Sequence, residues 1–173
     1  MAVFGEAAST VREIVSVLDK HRDAVRGTYR ARYVYDPASG TACSAPRLER
    51  PAGHPDNPAT VIDPFEQIFC ALAVCAGSDY PMLAKDAGID LRFVDFTAEG
   101  LFDPRGKFMG LEGLEAPADA RRCFVSLHLR AELRSSAPRS ELEKLHRRVI
   151  SYNMVLGTLR NVPVTDELVV RRG

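Results

Sequence analysis

The chain of 173 residues contains no tryptophan, no CxxC pair and no excess of either charge. Basic and acidic residues number 23 each, and this balance argues against an electrostatic nucleic-acid binder. The unbroken apolar run Ile68–Ala76 is far below the roughly 18 residues that span a bilayer, so we expect no membrane association. The first ten residues lack both a basic region and a long apolar run, and we therefore expect no secretory leader.

Cysteine is scarce, and its spacing argues against a metal site. The four thiols do not pair at metal-ligand spacing with the four histidines, so we expect no zinc and no other bound cofactor. Reduced thiols in a cytoplasm fit this usage best, with one of them available for reaction. The four are Cys43, Cys70, Cys75 and Cys123.

The stretch Asp63–Lys85 predicts one central helix. Asp63 is a good N-cap, Pro64 suits the first helical position, and Glu66 stands where a capping-box carboxylate would stand. Because the run that follows is apolar throughout, we expect the helix to be covered on all sides. Pro81 should kink it or end its first segment.

Two thiols lie on this predicted helix, Cys70 and Cys75. Five residues correspond to about 140° around a helix, so the thiols cannot form a disulfide within it and at most one of them faces a given site. Two interpretations of Cys75 stay open. It is either a small buried packing residue or a thiol that lines a pocket.

Shorter patterns on either side predict strands and two further helices. Capping boxes at Thr10–Glu13 and Ser140–Glu143 predict the helices, and alternating apolar and polar residues predict the strands. The predicted strands are Thr28–Tyr35, Thr41–Leu48, Ile89–Ala98, Cys123–Leu133 and a short one within Val162–Val170. The length suits a single domain over residues 1–173, with residues 1–26 as an N-terminal helical extension, and this order of elements is typical of an α+β fold.

Two motifs make residues 28–170 resemble the OsmC/Ohr family. The first is Pro64-Phe-Glu66 at the start of a buried helix, with Cys75 eleven residues after the proline. The second is the closing segment Thr158–Val164, which is similar to the end of the family's last helix and its return strand. The resemblance implies an OsmC-like fold, with antiparallel sheets packed around a long buried central helix, and an intertwined homodimer with two sites at the subunit interface.

The resemblance also implies thiol-dependent reduction of organic or inorganic peroxides, as in a stress response. Cys75 matches the peroxidatic cysteine, which becomes a sulfenic acid, and an arginine and a glutamate favour its thiolate. Glu66 matches the glutamate of the Pro-x-Glu branch, although as a capping residue it needs no catalytic role; Arg47 or Arg50 is the arginine we expect. The implied reductant is an external thiol such as dihydrolipoamide.

The chain departs from the family where the second, resolving cysteine belongs. Counting back from Thr158 places that position at Asn153, which is followed by Met154 rather than by the usual proline. The two-cysteine cycle is therefore broken, and an external thiol must resolve the sulfenic acid. The alternative is a catalytically degenerate OsmC-fold dimer that keeps its cavity for a small apolar ligand.

Overall fold

The computed structural model describes residues 26–39, 47–49, 64–108, 121–122 and 124–172, together with positions 13, 16, 18 and 20; for 47–49 and 107–108 it describes the backbone alone. One sheet of five strands, in the order β2-β1-β3-β4-β5, runs through this part of the chain. The strands are β1 (Gly27–Tyr35), β2 (Arg47–Glu49), β3 (Leu91–Phe102), β4 (Ser126–Ser135) and β5 (Val164–Arg171). The helices bounded here are α1 (Pro64–Asp86), α2 (Arg139–Tyr152) and α3 (Met154–Thr158). The predicted α+β class is confirmed.

The first hairpin follows from the alternation in β1. Tyr29, Ala31 and Tyr33 are buried under α1, whereas Arg30 and Arg32 lie on the other face of the sheet. Those arginines bind Glu99 and Asp95 of the neighbouring strand. β2 pairs antiparallel with β1, so the predicted hairpin is confirmed at the three residues of β2 that the structure describes.

The two central strands, β3 and β4, together form one buried face of the sheet. Val94, Phe96 and Ala98 pair with alternate residues of β4, and all of these side chains are buried beneath the helices. β4 therefore confirms the predicted alternation, but it begins only at Ser126. Phe124, which the pattern placed on the outer face, precedes the strand and is buried against the aromatic ring of Phe69. β5 runs parallel to β4 and closes this edge of the sheet.

The central helix α1 runs unbroken over 23 residues with Pro81 inside it. The helix does not end its first segment at Pro81, because the neighbouring residues Tyr80 and Leu83 are buried and hold both halves of the helix against the domain. The helix ends at Asp86, and Gly88 follows with a φ of 68°, a conformation that favours glycine. There the Ile89 N–H donates to the Ala84 carbonyl at 2.8 Å, in a closing turn typical of helix C-termini.

One face of α1 is uncovered within the single chain, whereas the apolar run predicts cover on all sides. The buried residues pack on β1, β3 and α2, and the opposite face carries Val74 and Met82 at 38% and 59% exposure. By length and hydropathy α1 could also cross a membrane. Its buried face instead makes it the core helix of this domain.

The helix α2 begins one residue before Ser140, the residue at which the pattern predicted its start, and it ends at Tyr152. Pro138 is the N-cap of α2 and makes no side-chain capping bond, so the expected capping box at Ser140–Glu143 was wrong. Glu143 pairs instead with Arg139 at 2.8 Å. The predicted apolar stripe is confirmed by the burial of Leu142, Leu145 and Val149, but the helix breaks at Asn153 before α3 begins.

A short 3-10 turn, Pro104–Phe108, follows β3. Its anchor is Asp103, whose carboxylate accepts from Arg105 at 2.6 Å and from Arg26 at 3.1 Å. Burial alone would raise the pKa of Asp103, but the hydrogen bonds from Arg105 and Arg26 outweigh it and lower that pKa. The turn is therefore held by an ion pair that is almost entirely buried.

Parts of the prediction lie outside the described residues. These are Cys43, Arg50, Asp63 and Cys123, with the proline-rich loop 51–62 and the loop that follows residue 108. In the N-terminal segment the four described positions, Glu13, Ser16, Leu18 and Lys20, are helical as predicted, and Leu18 is fully buried.

Candidate thiol site

Cys75 lies on α1 at an edge of its uncovered face. Both described thiols, Cys70 and Cys75, are free and partly buried. Because they are about 140° apart around the helix, they flank the uncovered face on opposite sides. Cys75 is therefore open to a small molecule that approaches this face, and it is not walled in by the core.

The environment of Cys70 opposes ionisation. Burial, and after it the carboxylate of Glu66 one helical turn earlier, raise the pKa of Cys70 above its ordinary value of 9.0. A thiol must ionise before it can act as a nucleophile. Of the two described thiols, Cys75 is therefore the better candidate for chemistry.

Within one chain α1 does not bring Glu66 and Cys75 together. Nine residues are two and a half helical turns, so the two side chains point to opposite sides of α1 and lie about 13.5 Å apart along its axis. Glu66 is only 1% exposed and faces the interior. The described geometry thus places this carboxylate beside Cys70 rather than Cys75.

The register of β2 gives the position of Arg47. Arg47 pairs with Arg32 and Leu48 pairs with Ala31. Directly paired residues share a face of the sheet, and Ala31 faces α1 whereas Arg32 binds Asp95 on the other face. Leu48 therefore occupies the helix-facing position of β2. Arg47 as the partner of the Cys75 thiolate stays a prediction.

A chain of three polar groups joins α1 to α2 and β5, and two of them, Tyr80 and His146, are buried. The phenol of Tyr80 donates to Nδ1 of His146, and the Nε2–H of His146 donates to the Asp166 carboxylate at 2.9 Å. Burial, and after it the Asp166 carboxylate, raise the pKa of Tyr80, so the phenol stays protonated and remains a donor. Sequence reasoning missed this network. Its signal was a histidine, His146, among the apolar positions of α2.

A second polar contact lies where the chain leaves α1 and where it enters α2. The hydroxyl of Ser135, which precedes α2, donates to the carbonyl of Asp90, which follows α1, at 2.8 Å.

The Cys75 side of α1 also borders α2. Asp86 stands eleven residues after Cys75, which is close to three full turns, so the two share one side of the helix. Asp86 accepts a hydrogen bond at 3.0 Å from Arg148 of α2. Asp79, one turn beyond Cys75, lies near this border as well, and burial raises its pKa.

Asn153 occupies the junction between α2 and α3. Its backbone N–H donates to the Val149 carbonyl at 3.1 Å, and its Oδ1 accepts from the Leu156 N–H at 2.8 Å, so it ends one helix and caps the next. The residue is 3% exposed, and its Nδ2 has no hydrogen-bond partner among the described residues. In the part of the chain that the structure describes, no three candidate metal ligands come together.

The described residues form a mixed α+β fold in which one five-stranded sheet packs on a long core helix that carries the two free thiols. The model of the OsmC family, described as OsmC-like protein, matches residues 57–167, which is well over half of the chain. The chain therefore belongs to the OsmC family.

Solved structures agree with this fold. An OsmC-like protein from Mycoplasma pneumoniae is similar with a TM-score of 0.52 at 15% identity, over 73% of this chain and 87% of that one. A second structure, from structural genomics, has a TM-score of 0.51 at 12% identity, over 84% of this chain and 98% of that one. At such identities the likeness shows the fold alone. Curated proteins give no match to the chain.

Proposed function

We propose that this protein is a thiol-dependent hydroperoxide reductase with Cys75 as its peroxidatic thiol. Membership in the OsmC family supports a peroxide-reductase type of function in general. The observation that carries the choice of residue is the position of Cys75, partly exposed at the border of α1 and α2, while Cys70 is held in its protonated form.

The reaction has two halves. The Cys75 thiolate attacks the terminal oxygen of the hydroperoxide, the O–O bond breaks, and the sulfur becomes a sulfenic acid as the alcohol leaves. An external dithiol such as dihydrolipoamide then attacks the sulfenic acid, releases water and restores Cys75 by forming its own disulfide. No second protein thiol is required, which suits a chain that has Asn153 where a resolving cysteine is expected.

The glutamate and the arginine that support Cys75 have limited roles in this proposal. Glu66 is buried and faces away from Cys75, so its part is limited to orienting a guanidinium. Arg47 or Arg50 is proposed as that guanidinium, which would favour the thiolate by its charge. The reaction takes place in the cytoplasm, where thiols stay reduced.

A second copy of the chain is the proposed cover for the open face of α1. Val74 and Met82 are exposed on the uncovered face of α1, and Tyr152 and Met154 are exposed at the end of α2 and the start of α3. A patch of this kind marks an interface, and the family implies a homodimer. Val74→Glu should convert the dimer to monomers in light scattering. Thr97→Glu, on the opposite face of the sheet between two arginines, should leave it dimeric.

Turnover tests the reaction directly. The wild type should consume cumene hydroperoxide in the presence of dihydrolipoamide, Cys75→Ser should abolish this consumption, and the matched control Cys70→Ser should retain it. Equal turnover in the wild type and in Cys75→Ser would remove the proposed function.

A second candidate function follows from the lost second cysteine. A degenerate dimer that binds a small apolar ligand would use the same helix border without any redox step. Native mass spectrometry of the purified protein separates the two, because a bound apolar molecule together with an unreactive Cys75 would favour binding over reduction.

A further inference from the structure

A cavity lies at one end of the crossover that joins β4 to β5 through the helices. Among the described strands, β4 and β5 are the only parallel pair, so the chain leaves the carboxyl end of β4 and returns in the same direction. The cavity has a volume of about 430 Å³. Its walls are residues 135–139, which connect β4 to the first residue of α2, together with Val170 and Arg172 at the end of β5.

This position is a common one for a small-molecule site in folds with parallel strands. The carboxyl ends of the strands there meet the connecting helix, and ligands bind in the crevice outside those ends. Ser135 is 1% exposed on the inner side of the cavity, where its hydroxyl donates to the Asp90 carbonyl and accepts from the Ala137 N–H. The inner side is therefore a fixed turn, whereas the rim is open to solvent.

The side chains at the rim make the cavity positively charged. Two of them are the guanidiniums of Arg139 and Arg172, and the described residues that line the cavity include no acid. Arg172 has no ion-pair partner in the part of the chain that the structure describes. Arg139 pairs with Glu143 at 2.8 Å, but both side chains are exposed, and such a pair contributes little to stability. Both guanidiniums are therefore available to an anion.

The cavity combines donors for a phosphate with room for an organic group. Guanidiniums bind phosphate oxygens through pairs of N–H donors, and the hydroxyl of Ser136 adds one more donor at the rim. The volume falls in the range of pockets for small organic ligands, roughly 300–1,000 Å³. Ala137, Pro138 and Val170 give the cavity an apolar wall. A phosphate with an organic body would use both the rim and the wall.

We propose that this cavity binds a small phosphate monoester, with Arg139 and Arg172 on the phosphate and Val170 against the organic part. No residue that lines the cavity lies on α1, so the site is separate from the candidate thiol site. The binding of a phosphate monoester thus goes beyond the proposed reductase function and does not depend on it.

Phenyl phosphate is the probe, because it joins a phosphate to a rigid apolar ring. Titrated into the full chain at low salt, it should shift the backbone amide NMR signals of Ser136, Arg139 and Arg172 and saturate with a Kd of about 1 mM. The absence of saturable shifts up to about 20 mM, twenty times that Kd, would overturn the proposal.

Arg172→Gln removes one guanidinium from an exposed position and should weaken the binding of phenyl phosphate about 10-fold. Arg148→Gln is the matched control, because Arg148 is an exposed arginine of α2 that binds Asp86 outside the cavity, and it should leave the Kd unchanged. An unchanged Kd in Arg172→Gln overturns the assignment. If that variant does not fold, Ser136→Ala should weaken binding about 3-fold.

Two further probes test the class of ligand. Inorganic phosphate should bind about 5-fold more weakly than phenyl phosphate because it leaves the apolar wall uncovered, and equal affinities would overturn the organic part of the proposal. Benzyl alcohol, which carries no charge, should not bind, and an affinity equal to that of phenyl phosphate would overturn the anionic part. Arg172→Gln should consume cumene hydroperoxide at the wild-type rate, and a loss of that activity would contradict the separation of the two sites.

Discussion

Tyr80 and His146 meet in the interior through a phenol–imidazole hydrogen bond that joins α1 to α2. The contact joins residues far apart in the sequence, and it continues through His146 to Asp166 on β5. The helix that carries Cys75 is therefore held to α2 and to the sheet by polar contacts as well as by apolar packing.

Tyr80→Phe should destabilise the domain by about 1–3 kcal/mol, because it leaves Nδ1 of the buried His146 without its donor. Tyr152→Phe is the matched control. Its ring is 60% exposed, and we expect a change in the free energy of unfolding within about 0.5 kcal/mol. Urea unfolding measures both, and equal losses in the two variants would contradict the role of the network.

The buried pair of Asp103 and Arg105 should make stability depend on pH. The folded-state pKa of Asp103 is lowered from 3.8, so its contribution is present above that value and is lost as the pH falls through the folded pKa. At pH 7, Asp103→Asn should cost about 3 kcal/mol because it leaves the Arg105 charge buried and unpaired.

Unfolding measured from pH 7 down to pH 3 tests this dependence. The stability difference between the wild type and Asp103→Asn should shrink as the wild-type carboxylate is protonated. Asp90→Asn removes an exposed partner of Arg92 and should show almost no difference at any pH. A difference for Asp103→Asn that does not vary with pH would contradict the lowered pKa.

Gly77 permits the close approach of α1 to the sheet. A Cβ at this position would lie 2.0 Å from the ring of the buried Tyr33, so Gly77→Ala should destabilise the domain by about 1–3 kcal/mol despite the better helix propensity of alanine. Gly157→Ala in α3 meets no atom within 4 Å and should be neutral or stabilising. Thermal unfolding of the two variants compares them, and a stable Gly77→Ala would show that α1 lies farther from Tyr33.

Cys70 should alkylate slowly at neutral pH because burial and Glu66 raise its pKa above 9.0. In a Cys75→Ser background, the rate of its reaction with iodoacetamide should still rise above pH 9, and Glu66→Gln should move the curve to lower pH. Glu143→Gln, on α2, should not move it. A curve that levels off below pH 8 would contradict the raised pKa.

Local sequence patterns correctly predicted the strands and helices whose formation depends mainly on their own residues. The alternation of Tyr29, Ala31 and Tyr33 gave β1, and the run that starts at Pro64 gave α1. The failures came from tertiary contacts. Pro81 stays helical because its neighbours are packed on both sides, and the capping box predicted at Ser140 gave way to a helix that begins after Pro138.

The candidate site was predicted only in part. The family motif singled out Cys75 and the missing thiol at Asn153, and the structure places Cys75 on α1 and Asn153 at the junction of α2 and α3. It does not bring Glu66 to Cys75, because nine residues place the two on opposite sides of one helix. His146 and Tyr80 could not be paired from sequence, since their contact depends on how α2 crosses α1.

The central claim is that Cys75 is the thiol that reacts with peroxide, and site mapping of its sulfenic acid tests it most directly. The wild-type protein is treated with less than one equivalent of cumene hydroperoxide in the presence of dimedone and then analysed by tandem mass spectrometry. The account predicts a dimedone adduct on Cys75 and none on Cys70. An unmodified Cys75, or an adduct on Cys70 in its place, would contradict it.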